Sequence, residues 1–428
     1  MTTAAKDLSG NSRRFILFTV FYNARAYYPV LAILFLDLGL TLDQFVLLNL
    51  IWAAAIFLFE VPSGALADTI GRKKLLVASS LLMVMEMACL LFAPRHGGIL
   101  LFSLCVLNRF LSGVSEAAAS GADEALAYDS LPPENRPEVW DHVLATAMKW
   151  RSVGFVAAMI LGGLLYDPTP INRLLPPALH IAPEIAHRLP VALVLCQALF
   201  CLFITLRMVE PPRNTDDIKQ SFRAVMRLTL ETARWVFTHP HTQVVVIFSL
   251  VIDSVCRNFA TITSSYYRLI HLPEWTLGFI GSAIGVVGMF VPAIAKKLNA
   301  RYGALPNLGY AVVMAILCLA ALIPAWPYWG LLPAMGVMTV LGYLGFTVSR
   351  ALHREADSSK RATVLSVKGL AYNLGYGLTS LGFSRLLASF HGQSEGAAMK
   401  QTLLWQMPPF ILLVIGLWIW AAKRWKAA

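Results

Sequence analysis

Glu60-Val61-Pro62-Ser63-Gly64-Ala65-Leu66-Ala67-Asp68-Thr69-Ile70-Gly71-Arg72-Lys73-Lys74 lies between two long apolar runs. Its charge is gathered in Asp68, Arg72, Lys73 and Lys74, and glycines stand at 64 and 71. The pattern reads as the end of one membrane helix, a very short turn and the start of the next. Gly64 allows the first of these helices to approach a neighbour closely. Gly71 permits the left-handed backbone that a tight turn needs. The three consecutive cations mark the cytoplasmic side.

The rest of the chain agrees with a polytopic membrane protein. Of 428 residues 57% are hydrophobic and only 14% charged, against roughly a quarter charged in soluble domains; the mean hydropathy is +0.63. A span needs roughly 20 apolar residues, so the length suits about twelve spans with short loops. Apolar runs place them near 14–37, 44–66, 74–93, 98–129, 141–166, 188–209, 241–271, 275–299, 304–324, 328–354, 362–390 and 397–422. Arg13 and Arg14 precede the first run, but Asn23 and Arg25 interrupt it and no small-residue cleavage site follows, so it reads as a retained helix. An even number of spans and a basic N-terminus put both termini in the cytoplasm. Lys and Arg gather in the segments this topology places inside, whereas the outside loops hold chiefly Arg95 and Arg173. The expected location is the plasma membrane, or the inner membrane of a Gram-negative cell. The formal charge of +11 is thereby explained by anionic lipid, and no motif for nucleic acid accompanies it. The six cysteines, Cys89, Cys105, Cys196, Cys201, Cys256 and Cys318, all fall inside apolar runs without metal-ligand spacing, and read as packing residues.

The opening stretch resembles the signature of the major facilitator superfamily of secondary transporters, G-x-L-A-D-x-x-G-R-[KR]-[KR], matched at Gly64, Leu66, Ala67, Asp68, Gly71, Arg72, Lys73 and Lys74. The resemblance implies an all-α membrane protein, with twelve transmembrane helices in two pseudo-symmetric six-helix bundles that rock around a central site. The halves are expected at 1–209 and 241–428, joined by a cytoplasmic linker at 210–240. That linker opens with Glu210-Pro211-Pro212-Arg213, which cannot continue a helix. Lys219, Arg223 and Arg227 then form one basic stripe, beside apolar Phe222, Val225 and Met226, so 216–237 is expected to lie on the inner leaflet. A weak repeat, Val61-Pro62 with Val291-Pro292 and Gly71 with Gly303, supports two halves. The resemblance also implies a conformational latch made of Gly64, Asp68, Gly71 and Arg72, with Asp129 at the inner end of the fourth span as partner.

The fourth span carries Arg109-Phe110-Leu111-Ser112-Gly113, similar to the superfamily's second signature, R-x-x-x-G. Arg109, Glu116 and Asp123 follow one another at seven-residue spacing, which puts them on one helix face. A polar stripe in a membrane helix turns toward protein or water, and in this superfamily the first, fourth, seventh and tenth spans line the cavity. Arg25 lies roughly 17 Å past Arg14, Glu116 about 20 Å from Asp129 and Asp253 about 18 Å past His241, so the three reach a similar depth. An i,i+4 pair of Asp253 with Arg257 is the plainer reading of those two. Asn23, Tyr28, Tyr343, Tyr372 and Asn373 complete the expected cavity lining, with Lys368 and Tyr376 nearby. Asp123 and Glu124 sit at the depth of Lys149 and Arg151 on the fifth span, which suggests an inner charge network. Gly154 and Gly162-Gly163 resemble the glycine-rich signature of drug–proton antiporters, without its G-P step. No role is evident for Glu60 or Glu86.

These residues lead to a secondary active transporter of a small polar solute, anionic or zwitterionic, with Arg25, Arg109 and Arg257 set against Glu116 and Asp253. Coupling to a proton is expected, because a carboxylate in apolar surroundings takes up a proton more readily than one in water. The alternative is a drug–proton antiporter exporting lipophilic cations, with Glu116 or Asp253 as the cation-binding acid. A non-transporting receptor is the alternative of another class. An enzyme is not expected, since H-E-x-x-H, G-x-S-x-G and P-loop patterns are missing. His180, Glu184 and His187 could form a metal face on a helix, but Pro183 favours a solvated turn, and neither metal nor cofactor is expected. The protein is expected to act as a monomer in the bilayer.

Overall fold

The structure is a computed structural model that describes residues 3–211, 222–356 and 361–426. The described residues are nearly all helical. Eleven segments are long and apolar enough to cross a membrane, and Arg361–Ala388 completes the set of spans.

Three spans are interrupted where continuous helices are expected. The first runs Thr3–Asn23, breaks, and resumes as Leu31–Leu38 after a short turn of 3-10 helix at Tyr28–Val30. Pro29 sits in that turn, and its missing N–H and fixed φ prevent an unbroken helix. The fourth span divides into Gly98–Ala119 and Ala122–Asp129 around Gly121, whose φ is 73°. The twelfth divides at Gln406 into Glu395–Trp405 and Met407–Lys426. The others are Leu42–Ile70, Arg72–Leu91, Arg136–Tyr166, Leu189–Arg207, Pro240–Leu269, Leu277–Tyr302, Ala304–Leu322 and Leu331–Glu355.

The weak repeat of the sequence has a structural counterpart. Pro62 and Pro292 both lie inside long helices, the second and eighth spans. Gly71 (φ 113°) and Gly303 (φ 76°) then make the turns into the third and ninth spans, in a backbone region that only glycine enters freely.

Where the termini lie, the first half fastens upon itself. Arg72 pairs with Asp129 and also donates to Ala125 O at 2.9 Å. The backbone N–H groups of Arg72 and Lys73 donate to the two carboxylate oxygens of Glu210 at 3.0 and 2.7 Å. Asn11 donates to Ser130 Oγ and Val209 O, tying the first, fourth and sixth spans. The sequence reading of Gly64 needs correction: a Cβ there would meet nothing within 4 Å among the described residues, so helix packing in this conformation does not require a glycine at that position. The side chain of Asp68 lies outside the described residues.

The linker helix Phe222–Thr238 packs against the second, seventh and eleventh spans. Thr232 and Val236 are buried there, while Arg227 and Glu231 pair at 3.3 Å on the exposed side. Residues 212–221, with Lys219, and the side chain of Arg223 lie outside the described residues, so most of the basic stripe does too.

Candidate functional site between the halves

The second span packs on the eleventh and the fifth on the eighth, and these two seams join the halves. A cavity of about 210 Å³ lies beside the first of these seams, lined by Trp52, Ile56, Glu60, Glu116, Ala117, Ser120, Arg257 and Asn373. Trp52 and Tyr376, one from each half, meet edge to face at 6.3 Å beside it. Arg257 donates to Asn373 Oδ1 at 3.1 Å and pairs with Asp253 at 2.8 Å. The plainer reading of Asp253 is therefore the observed one. Glu116 lines the cavity together with Trp52 and is exposed within it. Glu60, given no role by the sequence, shares the cavity with it.

A second chamber of about 260 Å³ lies among the first, fifth, seventh, eighth and tenth spans. Tyr28, Phe155, Met159, Tyr267 and Met338 give it an apolar and polarisable wall, with Thr261, Thr263 and Ser264 as polar points. Thr261 stands one helical turn beyond Arg257 on the same span, so the two spaces are near neighbours.

Two arginines expected in the cavity are elsewhere. Arg25 is buried inside the first half, where it pairs with Glu86 at 3.3 Å and donates its Nε–H to Tyr22 O. Tyr27 also donates to Glu86. Arg109 is buried over the ring of Phe35 at 4.9 Å, and its Nε and one terminal nitrogen have no hydrogen-bond partner among the described residues. The physical reason is rotation: seven residues carry a straight helix about 20° short of two full turns, and bundle packing then decides which residue meets the gap. Tyr343 is likewise turned away and donates to Asn307 within the second half. Tyr372 is buried against Ser249, with Lys368 over its ring at 5.3 Å. Asn23 donates back to Thr19 O of its own helix and does not line the cavity.

The expected inner network of Asp123, Glu124, Lys149 and Arg151 is not paired in this conformation. Asp123 accepts from the Glu124 N–H at 2.8 Å, and no ion pair joins the four among the described residues. The break at Gly121 turns Asp123 off the face it would share with Glu116, and Lys149 and Arg151 are exposed.

Away from the termini the halves are sealed. Arg268 of the seventh span donates to both carboxylate oxygens of Asp37, each at 2.7 Å, and to Glu274 at 2.6 Å. Tyr166 donates to Asp37 as well. His187 stacks on Tyr166 at 4.5 Å and lies 3.7 Å from Asp37. Asp37, His187 and Glu274 are near enough to hold a metal ion, but the guanidinium of Arg268 already occupies both acids. His180 instead contacts Leu175 O, so the helix-spaced face with His187 is not formed. Close backbone contact completes the seal: a Cβ on Gly278 would fall 2.1 Å from Met159 O, and one on Gly163 would fall 2.8 Å from Gly278 N.

Such a pair of bundles around a polar gap is matched by comparison. The sequence fits the Major Facilitator Superfamily over residues 15–380. The chain belongs to that family. The quinolone resistance protein NorA of Staphylococcus aureus (strain MRSA252) is 23% identical over 341 residues, 78% of either chain. The MFS-type transporter ppzB of Metarhizium rileyi is 28% identical over 169 residues, 39% of this chain and 32% of that one. Among solved structures, the nucleoside transporter NupG superposes with a TM-score of 0.72 at 12% identity, covering 99% of this chain and 100% of that one. A D-xylose–proton symporter gives 0.65 at 14% identity, with 96% of each chain covered. The protein is thus an integral membrane transporter of the major facilitator superfamily, with a small-molecule substrate, and not an enzyme.

Proposed function

We propose that the chain exports an amphipathic cation or zwitterion in exchange for protons, and that this structure is open toward the cytoplasm. One observation carries the substrate class. The cavity holds two carboxylates, Glu60 and Glu116, and one cation, Arg257, which is already engaged by Asp253. With Arg25 spent on Glu86 and Arg109 packed behind Phe35, the balance that favoured an anion is reversed. An ammonium group fits beside Glu116, and an apolar body fits the chamber of Phe155, Met159 and Met338. The likeness to NorA supports a drug-like substrate.

Glu116 is the coupling acid in this reading. A bound cation and a proton compete for one carboxylate, so each leaves as the other arrives, which gives antiport. The latch residues Asp68, Arg72 and Asp129 brace the inner end of the first half, where Arg72 and Asp129 are already paired in this state, and Asp68→Asn should lower transport in a folded protein. Both termini are cytoplasmic in this reading, which the basic loops support, and the sealed end is then external. The protein works as a monomer of two halves, 1–209 and 241–428.

The test is Glu116→Gln in proteoliposomes. A lipophilic cationic dye should move against an imposed pH gradient in the parent protein, whereas an organic anion should not. The variant should lose pH-driven movement. Retained pH-driven transport with an unchanged pH profile would place the coupling acid elsewhere, and anion transport would restore the opposite substrate class.

A further inference from the structure

The second half carries a pocket that the first half fills with one of its own carboxylates. In the first half, the third span starts at Arg72, directly after Gly71, and Glu210 takes its first two backbone N–H groups. Glu210 stands three residues beyond the end of the sixth span at Arg207. In the second half the ninth span starts at Ala304, directly after Gly303, and among the described residues no side chain accepts from its first two N–H groups. Its first two N–H groups belong to Ala304 and Leu305; Pro306, the third residue, has none. The twelfth span, counterpart of the sixth, brings Trp425 to this place instead of an acid.

The result is a cavity of about 190 Å³ whose lining includes His241, Asn299, Gly303, Arg350, Arg354 and Trp425. Glu355 also borders it, at 3.6 Å from His241. Arg350 and Arg354 lie one turn apart on the tenth span, and neither has a carboxylate partner among the described residues. His241 packs on Trp425 at 4.5 Å, which steadies one wall. Thr347 and Ala295 O fix the buried amide of Asn299 at 2.9 and 2.8 Å on another.

We propose that this pocket binds a phosphate ester at the start of the ninth span, in the position that the Glu210 carboxylate holds in the first half. Guanidinium groups match phosphate oxygens with paired, charge-assisted hydrogen bonds. An uncapped helix start adds two donors and the positive end of the helix dipole. The phosphate has two sources, an anionic phospholipid headgroup or soluble phosphate. The pocket lies at the end of the bundle that carries the termini, beside a tryptophan of the kind found at the membrane interface.

The test measures thermal stability of the full chain in detergent against added phosphatidylglycerol, phosphatidylcholine or inorganic phosphate. Phosphatidylglycerol should raise the melting temperature saturably, and phosphatidylcholine should not. Arg350→Gln/Arg354→Gln should weaken that effect about tenfold, the size expected for lost charge-assisted pairs. Arg354→Gln alone changes an exposed side chain and guards against misfolding of the double variant; it should weaken the effect by a smaller factor. Arg301→Gln, a basic residue at the same end outside the pocket lining, should leave it within twofold. Saturable stabilisation by inorganic phosphate, lost in the same variants, would identify the soluble source. Equal weakening by Arg301→Gln, or no dependence on Arg350 and Arg354, would mean diffuse attraction to anionic lipid and overturn the proposal.

Discussion

Arg25 and Glu86 face each other at 3.3 Å inside the first half, with the side chain of Glu86 fully buried. The pair joins the first span to the third beside the break at Ala24–Tyr27. Removing one member leaves the other charged and without an opposite charge beside it. Arg25→Gln should therefore destabilise the protein by roughly 3–5 kcal/mol, whereas Arg25→Met with Glu86→Leu should recover most of it. Unfolding followed by tryptophan fluorescence in detergent would measure both. Equal stability of Arg25→Gln and the parent would deny the pair a structural role.

The seal of Asp37 and Arg268 makes a second prediction. Two parallel hydrogen bonds between charged groups cross from one half to the other, and a bond of this kind contributes about 1.5–3 kcal/mol. Asp37→Asn should raise the share of molecules open at this end by roughly tenfold or more. A cysteine placed at Thr261 would report this through labelling by an impermeant maleimide. Unchanged labelling would show that backbone packing alone holds the seal.

That packing can be tested separately. Gly278→Ala would set a Cβ 2.1 Å from a backbone oxygen of the fifth span, and backbone atoms cannot swing aside as a flexible side chain can. The variant should fold but be unable to close this end. Transport should fall by at least about tenfold while binding of substrate from the sealed side improves. Transport at the parent rate would remove Gly278 from the closing surface.

Acidity should act on the same end. Burial pushes the His187 imidazole below its ordinary value; Arg95 and Arg268 push the same way, while Asp37 and Glu184 oppose them. A histidine lowered in this way favours the closed state when neutral. That contribution is whole above the ordinary value of about 6.5 and is lost as pH falls through the lowered one. Labelling at Thr261→Cys should rise as the outer solution is acidified from about pH 7.5 to about pH 5. His187→Gln should flatten the response, and a response unaltered by that change would assign it to another group.

Most of the fold is legible in the sequence because span length and loop charge are local properties. The latch motif gave the turn at Gly71 and the partnership of Arg72 with Asp129. Pairing between helices was harder to read. Arg25, Arg109 and Glu116 share a depth, which residue counting measures, but counting does not give the rotation that sends Arg25 toward Glu86 and Glu116 toward the gap. Glu86 carried a usable signal: a buried acid in a membrane helix implies a partner of opposite charge. Asp37 and Arg268 stood at span ends, where charges are cheap, and nothing in their spacing linked them. Gly121 hid the break that separates Asp123 from Glu116.

The interrupted first span gives its two pieces different sets of contacts. Thr3–Asn23 is anchored to the first half through Asn11 and Tyr22. Leu31–Leu38 touches both halves: Arg109 lies over Phe35 and Tyr166 donates to Asp37, while Ser264 accepts the N–H groups of Ala32 and Ile33 at 3.0 and 3.3 Å and Arg268 grips Asp37. One short helix therefore bridges the two halves of the closed state, far from the linker where the chain divides in sequence. Opening must either release Ser264 and Arg268 or draw Leu31–Leu38 away from the first half, with a bend at Ala24–Tyr27. In the second case the outer piece of the first span acts as a hinged clasp, and the two halves can begin to separate before their last bond is broken.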